Sequence, residues 1–260
     1  MTTVSGTNEA LEQIPAILLV GGLGTRLQSV LPSTAKPMAR VGEAPFLELL
    51  VKQLRSQGIR RLIMCTGHLA EQVEAEFGDG HQLDVSIVYS KESQPLGTAG
   101  AVKFAEHHLG QAANFLVMNG DSFLELNIGT LLQFHRERES LAAIALCKVS
   151  DAARYGSVDT DSRNRVTGFR EKTGVSQPGV INGGVYLFKR EVLNSIPAGP
   201  ASLEREIFPK LLARGIYALE QPGMFIDIGT PEDYARAQTL SRNLNMAAVP
   251  EARPGAIVND

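Results

Sequence analysis

The chain has 260 residues, 43% of them hydrophobic, and a net charge of −3 at pH 7. That length and apolar content supply the core of one large α/β domain or two small ones, while the slight acidity and the lack of any lysine or arginine run argue against nucleic acid or an anionic membrane as a partner. The first fifteen residues, "MTTVSGTNEALEQIP", carry neither a basic residue nor an apolar run, so residues 1–14 are read as a flexible leader and a cytoplasmic protein is expected.

In chain order, the apolar run "AILLV" reads as a buried strand that breaks into a glycine-rich turn ahead of a helical segment, an arrangement suited to an anion. A helix is expected from Phe46 to Gln57, with Phe46, Leu49, Leu50 and Leu54 on one stripe and Gly58 as its stop. Strand candidates follow at "RLIMCT", "VSIVYS", "NFLVMNGD" and "LAAIALCKV", with helical segments between the earlier ones. Such alternation predicts a parallel sheet covered on both faces. After about Ser150 the strands crowd closer, at "RVTGFREK" and "VINGGVYLF", before a helix opened by Ser202. The second half, about 151–245, is therefore expected to extend the sheet of the first, about 15–150, within a single domain. Residues 246–260 are rich in proline and small side chains and are expected to be mobile. Cys65 and Cys147 sit in strand-like runs and read as buried reduced thiols, and no cysteine or histidine spacing predicts a zinc site.

The glycine loop fits neither common phosphate motif. A dinucleotide fingerprint would need glycine where Leu27 stands, and a P-loop would need lysine followed by serine or threonine where Thr25 and Arg26 stand. What remains is a run of amides from Gly21 through Gly22 and Gly24 to Thr25, then the planar fork of Arg26, then Lys36 and Pro37 ten residues on, a set of groups suited to a triphosphate. Two apolar strands end in single aspartates, Asp121 in "VMNGDSF" and Asp227 in "MFIDIGTPEDY". A magnesium ion takes only one or two protein carboxylates, so this pair could share one. "GDSF" imitates a serine esterase signature, yet no histidine follows His135 to complete it. Glu171 and Lys172 close a strand and could serve hydroxyls and a phosphate. In "KESQPLGTAGAV", Gly97 and Thr98 open a small-residue helix fit to lie under a flat ring, and Glu92 could accept the ring N–H and exocyclic amine of guanine.

Taken together, "GGLGTRL", "KP", "PLGTAG", "NGD", "FREK", "NGGVYLF" and "FIDIGTPEDY" resemble the sugar-1-phosphate nucleotidyltransferases from about Ala16 to Leu240. Within that family, "RYGSV", "SLEREIFPKLL" and "IDIGTPEDY" are most similar to short guanylyltransferases acting on D-glycero-α-D-manno-heptose 1-phosphate, with enzymes acting on mannose 1-phosphate close by. The resemblance implies a Rossmann-like three-layer αβα sandwich with a mainly parallel central sheet, GTP and a sugar 1-phosphate as substrates, Mg2+, and a possible homodimer. It implies that Gly21 to Thr25 wrap the nucleotide, Arg26 steadies the leaving pyrophosphate and Lys36 neutralises the triphosphate. Asp121 and Asp227 would hold magnesium, Lys172 would grip the sugar phosphate, and Glu171 with Asn182 would bind sugar hydroxyls. Asn119, Tyr155 and Gly156 would line the sugar pocket. Two positions depart from the family pattern: Val20, whose bulk could narrow the nucleotide loop, and Gln94, where relatives often carry glutamate. The added carboxyl-terminal domain of many mannose enzymes is not expected after Tyr234. Alternatives are a uridylyl- or thymidylyltransferase, a dinucleotide oxidoreductase and a non-catalytic sensor of sugar nucleotides.

Overall fold

The computed structural model describes residues 11–172 and 174–246, with side chains described as far as residue 239. Its centre is a nine-stranded sheet, outside which β2 (Arg40–Val41) and β3 (Ala44–Pro45) form a small antiparallel pair. Strands β1 (Ala16–Leu19), β4 (Arg61–Thr66), β5 (Ser86–Lys91) and β6 (Asn114–Asn119) form a parallel block in the order β5-β4-β1-β6. The long β11 (Gly179–Lys189) enters antiparallel beside β6. It also pairs with β8 (Ala142–Val149), which carries β12 (Ile216–Gln221) parallel on its far side. Strands β9 (Ser157–Thr160) and β10 (Val166–Arg170) complete the sheet beyond the other end of β11. Only β10 and β11 run against the common direction, so the sheet is mainly parallel and holds strands from both halves of the chain.

Alternate residues of the central strands feed two separate cores, as strands buried on both faces require. Leu18, Met64 and Met118 join one with helices α1 (Phe46–Ser56), α2 (Ala70–Phe77) and α4 (Ile128–Glu137). Ile17, Ile63 and Val117 join the other with α3 (Gly97–Phe104) and the helical stretch of Leu203–Ile207 and α5 (Phe208–Leu211). Helix α6 (Pro231–Met246) lies on the first face through Ala237. The result is the expected three-layer αβα arrangement. Helix α1 forms over the expected span, burying Phe46, Leu50 and Leu54 of the expected stripe together with Leu47 and Val51, each contributing about 1.5–3 kcal/mol, while Leu49 is only half-buried. It stops at Gly58, whose φ of +94° suits glycine.

Two expectations need correction. The leader does not extend to residue 14, because Leu11 and Ile14 are buried at 5% and 4% exposure against the first core. Its earlier residues, like 247–260 of the expected tail, lie outside the described residues. Nor does a helix follow the glycine loop, where residues 25–30 form only turns, with Leu27 N bonded to Gly24 O at 2.9 Å and Val30 N to Leu27 O at 3.0 Å. Pro32 lacks an N–H and biases Leu31 away from the helical region, which leaves too short a span to nucleate a helix. The chain instead turns once more at the short 3-10 helix Lys36–Met38.

Candidate active site

The carboxyl ends of β1, β4 and β6 meet at one edge of the sheet, where β6 lies on the opposite side of β1 from β4. Open α/β sheets bind ligands at such a reversal of strand order. Val20 N donates to Cys65 O at 3.0 Å and Gly120 N to Leu19 O at 2.9 Å. Glycine is needed for this convergence: a Cβ on Gly21 would stand 3.1 Å from Gly67 N, and one on Gly120 would stand 2.5 Å from Val20 Cγ1. Val20, the first departure from the family pattern, therefore packs over Gly120 and forms part of the cavity wall.

A cavity of about 250 Å³ opens at this edge, and Gly21, Gly22, Lys36, Glu92, Gly97, Thr98, Asn119 and Asp121 line it. Asn119 also lines a second cavity of about 690 Å³, with Tyr155, Gly156, Glu171 and Asn182. The residues expected to bind nucleotide and those expected to bind sugar thus gather in two cavities that share one side chain. Five expected residues line neither: Gly24, Thr25, Arg26, Lys172 and Asp227. Gly24 backs the site, since its φ of +58° brings Lys36 Cβ to 3.0 Å of where its own Cβ would be. Thr25 and Arg26 are exposed on the turns that replace the expected helix, and Lys172 is exposed beyond the end of β10. Cys65 and Cys147 are buried and unpaired, as expected, and Cys65 lines the smaller cavity.

Asp227 reaches the site from another direction. Strand β13 (Phe225–Asp227) pairs antiparallel with β7 (Ser122–Leu124), setting Asp227 opposite Ser122, and Ile228 N donates to Asp121 O at 3.1 Å. This ribbon makes neighbours of two aspartates more than a hundred positions apart. Burial, reinforced by the charge of Asp121 and opposed by Lys36, pushes the Asp227 carboxyl up to about 6. Lys36 Nζ lies 2.6 Å from Asp121 Oδ2. Among the described residues no three His, Cys, Asp or Glu side chains gather as a metal site, so a cation here would rest on these two carboxylates. Tyr155 packs edge-on to Phe225 at 5.5 Å, and burial together with the charge of Asp227 raises its hydroxyl to about 12. It thereby connects the ribbon to the larger cavity.

Glu92 sits where the smaller cavity meets a hollow lined by His68, Ser93 and Gln94. Its Oε2 accepts from Leu96 N at 2.9 Å. Partial burial raises its pKa despite that bond. In the larger cavity, Asn182 precedes an irregular stretch in which β11 advances four positions, from Asn182 to Tyr186, against two positions of β8, from Leu146 to Ile144. Gly184, at φ +72°, permits this bulge, and a Cβ there would meet Asn119 Nδ2 at 2.7 Å. Tyr186, Ser202, Glu204 and Arg205 also line this cavity. Sequence reading missed them as site residues, with only the capping Ser202 marked by its position at a helix start.

The nucleotidyl transferase family matches residues 15–243. The chain is 39% identical over 223 residues to the D-glycero-alpha-D-manno-heptose 1-phosphate guanylyltransferase of Campylobacter jejuni, covering 84% of this chain and 96% of that one. It is also 39% identical over 231 residues to the mannose-1-phosphate guanylyltransferase of Mycobacterium tuberculosis, covering 87% of this chain but only 64% of the relative's length. Among solved structures, HddC from Yersinia pseudotuberculosis complexed with GMP-PN aligns with a TM-score of 0.78 at 33% identity, covering 87% of this chain and 98% of that one. Cavities at the sheet's carboxyl edge, the paired aspartates and the family match agree, and the chain belongs to the nucleotidyl transferase family.

Proposed function

We propose that this protein transfers the guanylyl group of GTP to D-glycero-α-D-manno-heptose 1-phosphate, giving a GDP-heptose and pyrophosphate. The observation that carries this reading is the Lys36 to Asp121 contact of 2.6 Å in a cavity that shares Asn119 with a second, larger one. Two anionic substrates can be brought together there beside a cation and a carboxylate. The heptose reading draws on the Campylobacter jejuni relative, nearly all of whose length aligns.

A phosphate oxygen of the sugar 1-phosphate attacks the α-phosphorus of GTP. The bond between that phosphorus and the oxygen bridging to the β-phosphorus breaks, and pyrophosphate leaves with its electron pair. The attacking phosphate is already anionic, so positioning and charge screening are what the protein must supply. The amides of Gly21 and Gly22 and the ammonium of Lys36 hold the triphosphate, and Glu92 accepts from the guanine edge with its remaining lone pairs. Arg26 and Lys172, exposed on flanking segments, close on the pyrophosphate and the sugar phosphate. Tyr155, Glu171 and Asn182 bind sugar hydroxyls.

Asp121 and Asp227 fit a magnesium ion, because burial and then the neighbouring charge of Asp121 both raise the Asp227 carboxyl, and a divalent cation offsets both costs. When bound, the ion neutralises phosphate charge. A protein of the cytoplasm is the matching setting; no helix among the described residues is long and apolar enough to cross a membrane.

A second reading, mannose 1-phosphate as acceptor, is favoured by the Mycobacterium tuberculosis relative. Pyrophosphate release from four nucleoside triphosphates against heptose, mannose and glucose 1-phosphates, with Mg2+ and with chelator, separates the two. Release with GTP and the heptose, lost on chelation, supports the first reading, whereas faster release with mannose 1-phosphate favours the second. Release from no pair overturns both.

A further inference from the structure

Glu204 stands where the two cavities touch through the protein. It lies in the helical turn Leu203–Ile207, capped by Ser202, whose hydroxyl accepts from Arg205 N at 3.2 Å. Its Oε2 accepts from Thr98 Oγ1 at 3.0 Å and from Ser202 Oγ at 3.1 Å. Its Oε1 accepts from the Tyr186 hydroxyl at 3.1 Å. That hydroxyl in turn accepts from Asn182 Nδ2 at 3.0 Å, and Asn182 Oδ1 accepts from Gly184 N at 3.0 Å. A continuous chain of hydrogen bonds therefore runs from Thr98, in the wall of the smaller cavity, to Asn182, in the wall of the larger.

The direction of this chain is fixed by chemistry. Burial keeps the Tyr186 phenol protonated, so it has one proton to donate, and an ionised Glu204 can only accept. The proton must go to Glu204, which leaves the tyrosine oxygen to receive the Asn182 amino group and turns the Asn182 carbonyl toward Gly184. Remove the carboxylate, and the tyrosine is free to donate to Asn182, which allows the amide to turn over.

The backbone repeats the connection. Ala99 N and Gly100 N, at the start of α3, donate to Ala201 O at 2.9 and 3.2 Å, Ala201 N donates to Leu96 O at 2.9 Å, and Leu203 N donates to Thr98 Oγ1 at 2.8 Å. The segment before Glu204 thus satisfies amides that a helix start would otherwise leave to water or ligand. Gly97 and Gly100 make the approach possible, since a Cβ on either would stand 2.6 Å from Ala201 O or 2.4 Å from Gly199 O.

We propose that Glu204 is a positioning residue that links the two substrate sites. Whichever substrate binds first orders Thr98, Glu204, Tyr186 and Asn182 together, so the second meets a site already set and binds more tightly. This rests on the assignment of the smaller cavity to nucleotide and the larger to sugar phosphate. The linkage is reciprocal, and each ligand strengthens the other by the same factor.

Calorimetric titration of a non-hydrolysable GTP analogue with Mg2+, alone and with saturating heptose or mannose 1-phosphate, measures that factor, and the reverse titration checks it. In the wild type we expect about fivefold or more. Tyr186→Phe keeps the ring and deletes the hydroxyl, and should bring the factor below about twofold while the analogue alone binds within about threefold of wild type. Glu204→Ala should abolish the factor as well, and Tyr186→Phe carries the test if the alanine variant does not fold. A wild-type factor of one, or a full factor in folded Tyr186→Phe, overturns the inference while leaving the functional reading intact. Wild type that binds neither the analogue nor either sugar phosphate overturns both.

Discussion

Lys36 Nζ lies 2.6 Å from Asp121 Oδ2, joining the segment after β1 to the turn after β6, with 14% of the lysine side chain and 44% of the aspartate side chain exposed. With the aspartate end open to water the pair contributes little to stability, so its placement matters chiefly for the charges of the substrates. Lys36→Met should cost no more than about 1 kcal/mol in urea unfolding. It should lower kcat by about a hundredfold or more, as loss of a preorganised electrostatic contact does. Paired unfolding curves and steady-state rates check both parts.

Asp227 offers a prediction with opposite signs for stability and activity. Its folded pKa of about 6 exceeds the ordinary 3.8, so the metal-free fold binds a proton that the unfolded chain releases. Stability is then highest below pH 3.8 for this group and is lost as pH rises through 6, by an amount of about 3 kcal/mol. Asp227→Asn should stabilise the metal-free protein at pH 8 by about 1–3 kcal/mol while sharply lowering turnover. Thermal melts with and without Mg2+ check it, since the wild type should gain stability from the ion and the variant should gain far less.

His135 acts in the other direction. Burial, with help from the charges of Lys189 and Arg136, lowers its pKa to about 4, and its ring bonds to Ser140 Oγ at 2.6 Å and Asn114 Oδ1 at 3.2 Å. Its neutral form contributes stability fully above pH 6.5, and that contribution disappears as pH falls toward 4, an acid-side loss of about 3 kcal/mol. His135→Gln should therefore show a flatter fall in stability between pH 6.5 and 4 than wild type, read from chemical denaturation at a series of pH values.

Gly184→Ala tests the bulge that presents Asn182. The left-handed φ of +72° and the 2.7 Å approach to Asn119 Nδ2 both penalise a side chain. A loss of about 1–3 kcal/mol in stability is expected, with a rise in KM for sugar phosphate that exceeds any rise for GTP. Equal changes in both KM values would contradict the role given to the bulge.

Glu92→Gln retains an oxygen to accept from Leu96 N but loses the charge offered to the guanine edge. The ratio of kcat/KM for GTP over UTP should fall by about tenfold or more. Competition between the two nucleotides in one reaction measures it directly.

Most strands of the central sheet and α1 were legible in the sequence because burial on two faces leaves apolar runs and a helix buried on one face leaves a stripe, whereas β9 and β12, with burial broken by half-exposed and exposed positions, were not expected. The missing helix after the glycine loop was not legible, because the pattern of a strand followed by glycines is shared by loops with and without one, and the effect of Pro32 falls on the residues before it. Leu11 and Ile14 were hidden among polar residues, too few to form a period. In the site, Asp121 and Asp227 were visible as carboxylates at strand ends, whereas their meeting depends on β7 pairing with β13. Glu204 stood inside the quoted stretch "SLEREIFPKLL", but nothing local marked it as a site residue. Its role arises from three segments, α3, β11 and the turn at Leu203–Ile207, whose proximity is a property of the folded sheet.

The most direct measurement is phosphorus NMR of the purified protein with GTP, Mg2+ and either heptose or mannose 1-phosphate. Guanylyl transfer predicts that the sugar phosphate resonance is replaced by the coupled pair of a sugar nucleotide diphosphate, with one pyrophosphate released for each. An unchanged sugar phosphate resonance, or pyrophosphate accompanied only by GMP, would contradict it.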